Sequence, residues 1–162
     1  MELAAVLRTG GVDADVHVKN MPGKRVKLIV HVRALPPGAH GFHIHSAGDL
    51  RGEGCAGACS HFHKGAAVGH GGPPSHGGER HTGDLGNLTR VGKFSYILSG
   101  VSTSDLVGRS IIVHADADDL GKGGHEDSLT TGHSGARIAC GIFGRVSGCG
   151  ATRKLRRRRT VA

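Results

Sequence analysis

Residues 40–84 read HGFHIHSAGDLRGEGCAGACSHFHKGAAVGHGGPPSHGGERHTGD and hold eight of the thirteen histidines of the chain. In the segment GFHIH, residues two apart project from the same face of a strand, so His43 and His45 form a chelating pair. Further metal-binding side chains follow in the glycine-rich remainder: His61, His70, His81 and Asp84. Neutral imidazole binds both copper and zinc, whereas a carboxylate among histidines suits zinc better. The segment therefore predicts two metal sites or one shared site.

Strand patterns surround this segment. LAAVLR, ADVHVKN and KRVKLIVHVRAL precede it and are separated by Gly, Asn and Pro turn signals, so we expect three antiparallel neighbours, with GFHIH as the fourth strand. Later strands are predicted around residues 86–88, 93–98 and 109–114, and RIACGIFGRV forms the last one. Eight short strands with two long loops predict an all-β antiparallel sandwich or barrel.

Length and charge divide the chain into a body and a tail. The 162 residues suffice for one hydrophobic core, which we assign to residues 1–146. Residues 145–162 contain seven Lys or Arg and no acidic residue, so the preceding 144 residues carry 14 basic and 13 acidic side chains. We expect residues 147–162, which include RKLRRRR, to form a disordered basic tail. Binding to nucleic acid or acidic surfaces, and nuclear targeting, are the functional alternatives for this tail.

The sequence shows no signal for a membrane or for secretion. No apolar run approaches the roughly 20 residues that span a bilayer, and the amino terminus lacks a basic segment followed by an apolar one. We therefore expect a cytoplasmic protein.

Four separated motifs carry a resemblance to a known family. GFHIH, GERHTGDLGN, IIVHADADDLGKGG and TGHSGARIACGIFG occur in the order found in copper/zinc superoxide dismutases, and the match spans residues 3–146. The resemblance implies an eight-stranded Greek-key sandwich with two long functional loops. It also implies that the protein converts superoxide to oxygen and hydrogen peroxide by alternating copper oxidation states, with zinc in a structural role.

The resemblance also assigns the ligands. The implied copper ligands are His43, His45, His61 and His114. The implied zinc ligands are His61, His70, His81 and Asp84, with His76 as the alternative to His70. His61 then bridges both ions and takes part in catalysis, and Asp118 links His43 to His70 as a hydrogen-bonding carboxylate.

Further residues match the channel through which an anion reaches copper. Arg137 matches the arginine that lines this channel, and we expect it to be catalytic because it attracts and holds superoxide. Lys122, Glu126 and Asp127 fall in the segment that resembles the charged steering loop of the family. Thr130 stands where relatives often have a lysine.

Cysteines and assembly complete the set of expectations. Four cysteines allow three pairings, and the resemblance selects Cys55 with Cys140, which leaves Cys59 and Cys149 free.

A homodimer is expected through four apolar residues that match the contact surface of dimeric relatives: Leu106, Val107, Ile142 and Phe143. A copper chaperone is a partner that the resemblance leaves open. A copper/zinc-binding protein without turnover, or a nucleic-acid-binding protein with a passive body, are the alternative functions.

Overall fold

The computed structural model describes residues 1–148, and these form nine strands and two short α-helices. The strands are β1 Glu2–Leu7, β2 Asp13–Met21, β3 Arg25–Ala34, β4 His40–His45, β5 Asp84–Leu88, β6 Gly92–Ser99, β7 Ser110–His114, β8 Arg137–Ile142 and β9 Gly144–Arg145. The helices are α1 Thr103–Leu106 and α2 Ser128–Thr131, and two 3₁₀ helices cover Glu53–Ala58 and Pro74–His76. Cys149 and nearly all of the predicted basic tail lie outside the described residues.

The strands form two antiparallel sheets that pack face to face. One sheet has the order β6-β3-β2-β1-β9 and the other the order β5-β4-β7-β8. In β1, β2 and β3, every second side chain is apolar and buried between the sheets, because alternate residues of a strand face opposite sides. The predicted antiparallel pairing of these three strands is confirmed.

Strand β4 lies inside the second sheet, between β5 and β7, and all six of its residues are buried. Phe42 and Ile44 point into the core between the sheets. His43 and His45 therefore point to the opposite face, where two long segments, residues 46–83 and 115–136, cover the sheet. This arrangement gives the histidines a buried site outside the apolar core.

The last predicted strand, RIACGIFGRV, is divided in two. Phe143 separates β8, which belongs to the second sheet, from β9, which pairs with β1 of the first sheet. The backbone of Phe143 exchanges hydrogen bonds with Gly108 and Arg109 instead of continuing the ladder, and the chain crosses between the sheets there. The prediction of eight strands thus becomes nine in residues 1–148.

Two residues expected at a subunit contact lie inside the fold. Leu106 and Phe143 are fully buried in the core, so the prediction that they form an exposed apolar patch is wrong. Their side chains fill the space where the chain crosses between the sheets. Ile142 is 42% exposed and Val107 is half-buried, so these two remain accessible.

Within residues 1–148, no helix has both the length and the apolar character needed to cross a membrane.

Candidate metal centre

Four buried histidines meet on the outer side of β4. We call His43, His45, His61 and His114 the imidazole group. His61 reaches β4 through an isolated bridge to His45, and His114 ends the neighbouring β7. Nitrogen atoms from all four rings lie within 4.8 Å of one another, so the group could hold one metal ion.

A second group shares one member with the first. We call His61, His70, His81 and Asp84 the mixed group, and its ligand atoms also lie within 4.8 Å of one another. Nδ1 of His61 lies 2.8 Å from Oδ1 of Asp84. The backbone N–H groups of Gly71 and His81 donate to Oδ2 of Asp84 at 3.0 and 2.7 Å. These bonds orient the carboxylate toward the histidines.

One carboxylate contacts a histidine of each group. Asp118 is buried, and its Oδ2 and Oδ1 lie 2.8 Å from Nε2 of His43 and Nε2 of His70, respectively. Because each Nε2 is occupied in this way, the ring orientation leaves each Nδ1 directed into its own group. A carboxylate in this position fixes the ring orientation of a histidine ligand and raises its basicity.

The free nitrogen atoms fit metal binding. Nδ1 of His43 and Nδ1 of His70 are buried without a hydrogen-bond partner, although Nδ1 of His70 is 3.0 Å from Oδ1 of Asp84. These two atoms are close, but the angles between them do not form a hydrogen bond. Nε2 of His45 and Nε2 of His114 lie 3.4 Å apart. Two nitrogen ligands of one tetrahedral ion are separated by about 3.3 to 3.4 Å, so this pair has the spacing of two ligands on one ion.

Burial keeps the imidazole group neutral. It lowers the pKa of His45 to about 2, with repulsion from His61 adding to the effect. It also lowers the pKa of His114 to about 3 and that of His61 to about 4. Burial likewise lowers the pKa of His43, although Asp118 opposes that effect. Neutral imidazole is the form that binds metal ions.

The carboxylates favour positive charge in the mixed group. Burial alone would lower the pKa of His70, but the hydrogen bond with Asp118 and the close negative charge of Asp84 raise it to about 9. Burial would raise the pKa values of both carboxyl groups. Hydrogen bonds from the histidines instead hold the pKa of Asp84 well below its usual range and lower that of Asp118 to about 2. Buried carboxylates are stable when they are paired with a positive charge or bind a metal ion, so Asp84 and the adjacent Asp118 favour a cation in the mixed group.

A pocket of about 410 Å³ connects the imidazole group with the surface. Its lining residues are His45, Ser60, His61, His114, Asp127, Thr130, Thr131, Gly135 and Arg137. Nη1 and Nη2 of Arg137 donate to the carbonyl oxygens of Cys55 and Cys59 at 2.7 and 2.6 Å. Partial burial lowers the pKa of Arg137, and arginine nevertheless stays charged in proteins. The pocket therefore offers a fixed cation beside the histidines.

Not all of the predicted residues meet at the site. His70 joins the mixed group, whereas His76 is exposed on the 3₁₀ helix Pro74–His76. Asp127 lines the pocket, but Lys122 and Glu126 are exposed and do not. A steering contribution from these two residues would have to act through solvent.

The predicted disulfide is present between Cys55 and Cys140, and it ties the 3₁₀ helix Glu53–Ala58 to β8. Among the described cysteines, Cys59 is free and exposed. Its carbonyl oxygen accepts hydrogen bonds from Nδ1 of His45 and from Arg137. The sequence could not reveal this role, because a backbone oxygen performs it.

Two further residues were not anticipated. Asn87 exchanges two hydrogen bonds with the backbone of Asp118, at 2.7 and 2.9 Å, and thereby anchors that residue to β5. Gly132 has φ 69°, and a Cβ there would collide with Asp118 and His70. Asn87 stands within the motif GERHTGDLGN, which was the available signal for its importance. No sequence signal distinguished Gly132 from the other glycines.

Comparisons with known proteins agree with this geometry. A family model described as copper/zinc superoxide dismutase (SODC) matches residues 12–143. A superoxide dismutase [Cu-Zn] of Paramecium bursaria Chlorella virus 1 is 44% identical over 128 residues, which cover 74% of this chain and 66% of that protein. An extracellular superoxide dismutase [Cu-Zn] of Haemonchus contortus is 44% identical over 129 residues, covering 75% and 68%. The chain thus spans about two thirds of the length of these relatives.

A solved structure shares the fold of this chain. The crystal structure of the clock protein EA4 superposes with a TM-score of 0.78 at 34% identity, covering 90% of this chain and 94% of that one.

The fold and the site define a β-sandwich protein with two adjoining candidate metal sites that share a histidine. Because the family model covers most of the chain and relatives are 44% identical, the chain belongs to the copper/zinc superoxide dismutase family. The cofactors of this family are copper and zinc, and the imidazole and mixed groups could hold these ions.

Proposed function

We propose that the protein is a superoxide dismutase that binds copper in the imidazole group and zinc in the mixed group. The observation that carries the proposal is the sharing of His61 by two ligand groups beside a pocket that contains Arg137. A shared imidazole can bind two cations, one at each ring nitrogen, once its proton is removed. Family membership supports the same activity.

The ligand types support this assignment of the two metals. The imidazole group contains four histidines and opens to the pocket through His45, His61 and His114. A catalytic metal site keeps a position open for substrate, whereas a structural site is closed. The mixed group contains a carboxylate, and all of its members except the shared His61 lie outside the pocket lining. These features favour copper at the open site and zinc at the closed one.

The residues around the pocket would guide the reaction. Arg137 attracts the superoxide anion and orients it with a rigid fork of donors beside His61. His61 can hold a proton at Nε2, the nitrogen turned away from Asp84, and pass it to the reduced substrate. Copper, when bound, supplies the one-electron redox chemistry that turns two superoxide ions and two protons into oxygen and hydrogen peroxide.

The test is metal analysis and a dismutation assay on the same copper- and zinc-loaded preparation. We expect both metals to bind and superoxide to disappear faster than it does without the protein at the same free metal concentration. His61→Ala should lose most of the activity. The control His31→Ala should keep it, because His31 lies on the opposite sheet, outside both groups. A preparation replete in both metals without turnover would instead favour the non-catalytic metal-binding alternative.

A paired experiment decides the assignment of the fourth zinc ligand. His70→Ala should lose zinc, whereas His76→Ala should retain it, because His76 is exposed on a separate 3₁₀ helix. Zinc loss in the second variant alone would reverse the assignment.

A homodimer is also proposed, through a patch that differs from the one expected from the sequence. Val6 and Ile142 are 48% and 42% exposed. Their backbones lie close together: a Cβ on Gly141, the residue before Ile142, would approach the carbonyl oxygen of Val6 to 2.6 Å. Val107 is close in the fold, because the next residue, Gly108, donates to the carbonyl oxygen of Phe143, which follows Ile142. We propose that these residues form an accessible apolar surface of the kind that marks protein contacts.

The oligomeric state can be measured by light scattering at micromolar concentration. We expect a dimer for the wild type and a monomer for Ile142→Asp, because a charge would be buried in the contact. The control Val91→Asp introduces the same charge at a residue that is 53% exposed and lies in the turn between β5 and β6. It should leave the dimer intact. A monomeric wild type would contradict the proposal.

Nucleic-acid binding by the basic tail stays a prediction and rests on its charge. A chain that ends at residue 146 should keep dismutation and lose retention on immobilised nucleic acid. The cytoplasmic location is likewise still a prediction, and one of the relatives above is named as extracellular.

A further inference from the structure

The pocket wall contains one acidic side chain. Among its lining residues, Arg137 is positively charged and Asp127 is negatively charged. If the substrate is superoxide, as proposed above, the carboxylate of Asp127 opposes the attraction by Arg137. The side chain of Asp127 is 45% exposed, so it could swing toward the entering anion unless other groups restrain it.

Both oxygens of this carboxylate are restrained. Nδ1 of His133 donates to Oδ1 of Asp127 at 2.6 Å. The hydroxyl of Thr131 donates to Oδ2 at 2.9 Å. The hydrogen bond from His133, followed by that from Thr131, lowers the pKa of Asp127. Without His133, Oδ1 would lose its partner, and the hydroxyl of Thr131 alone would oppose a change of rotamer at Asp127.

The ring of His133 is itself held in position. It stacks on the ring of His125, with the centroids 3.7 Å apart and the planes 11° from parallel. The backbone of His133 has φ 50°, in the left-handed region that non-glycine residues rarely adopt. An unusual backbone conformation that persists indicates that the surrounding contacts determine it. In this backbone conformation, Nδ1 of the ring reaches the carboxylate of Asp127, the residue before α2.

We propose that His133 is a positioning residue for superoxide entry. It fixes the carboxylate of Asp127 at the pocket wall and places a polar ring beside it, so that Arg137 dominates the field at the entrance. The proposal rests on the proposed function and adds a residue that belongs to none of the candidate metal-ligand groups found in residues 1–148.

The main test compares kcat/KM for superoxide at low salt in metal-loaded variants. We expect His133→Ala to lower kcat/KM by about twofold, the added repulsion when an existing unit charge swings from roughly 10 to roughly 5 Å from the anion in water. His133→Gln, which can still donate a hydrogen bond, should lose less. Adding Asp127→Asn to His133→Ala should restore the rate, because the freed charge is then absent. Raising the salt concentration should reduce the difference from wild type.

A second readout does not depend on turnover. The affinity of the copper-loaded protein for azide, a small anion, can be followed through its visible absorption. His133→Ala should weaken azide binding by a similar factor, and the double variant with Asp127→Asn should recover it. If the wild type failed to dismutate superoxide, the proposed function would fail, yet this titration would still measure the field at the entrance.

Other outcomes would overturn the inference. Unchanged kcat/KM and azide affinity in His133→Ala would make His133 an ordinary surface residue. A loss accompanied by reduced copper or zinc content, or one that Asp127→Asn does not suppress, would assign it a purely structural role. His125→Ala serves as the control for the stack: because it leaves the hydrogen bond to Asp127 available, it should have a smaller effect than His133→Ala.

Discussion

Replacing Arg137 with alanine should slow the capture of superoxide without emptying the metal sites. Arg137 lines the pocket, and none of the metal-binding groups includes it. One unit charge about 4 Å from an anion contributes about 1 kcal/mol in water and about 4 kcal/mol near a protein surface of lower polarity. A loss of roughly 1.5 to 3 kcal/mol corresponds to about a 10- to 150-fold decrease in kcat/KM.

The structure adds a second consequence of the same change. The guanidinium bridges the carbonyl oxygens of Cys55 and Cys59, and the latter oxygen also accepts a hydrogen bond from His45. Arg137→Lys keeps the charge but cannot reproduce the two-pronged contact. We therefore expect the lysine variant to be intermediate in rate, which separates attraction from orientation.

The assay is stopped-flow measurement of superoxide decay at several salt concentrations, with copper and zinc determined in each sample. Salt should slow the wild type more than Arg137→Ala, because the variant lacks the attraction that salt screens. Arg90→Ala removes an exposed cation that does not line the pocket and should behave as wild type. Full activity of copper-loaded Arg137→Ala at low salt would refute the reasoning.

Three further changes test the site and the fold. Asp84→Ala should weaken zinc binding by at least about 100-fold in a chelator competition, since even an outer hydrogen-bonding partner is worth 10- to 100-fold; equal zinc affinity would remove Asp84 from the ligands. Gly132→Ala should cost about 1 to 3 kcal/mol in urea unfolding, because its Cβ would collide with Asp118, whereas Gly124→Ala, at a similar φ in open space, should cost less. Equal losses for the two glycines would show that backbone strain alone is responsible. Cys140→Ser opens a disulfide that spans 85 residues and should lower the free energy of unfolding by about 4 to 5 kcal/mol, and an unchanged urea midpoint would contradict this.

Local patterns determined the strands and the ligand types. The alternation of apolar residues in β1, β2 and β3 is a property of a few consecutive positions, so it could be read directly and is confirmed. The chelating pair in β4 follows from the same two-residue period. Family motifs, which are also short and local, supplied the remaining site residues.

Long-range packing decided what the sequence left open. His43 and Asp118 are 75 residues apart, and His70 and Asp118 are 48 apart, so their contacts depend on the path of two loops. The same packing brings His70 to Asp84 while His76 stays exposed. No periodicity encodes such contacts, because loop backbones follow no repeating geometry.

Chain crossings and backbone contacts were equally hidden. Phe143 looks like part of a continuous strand, yet the chain leaves one sheet there and its side chain enters the core. The carbonyl oxygen of Cys59 acts on His45 and Arg137, whatever side chain that residue carries. The sequence therefore determined the strands, the candidate metal ligands and the family. Only the tertiary structure decided which side chains share a site, because that depends on contacts between positions far apart in the chain.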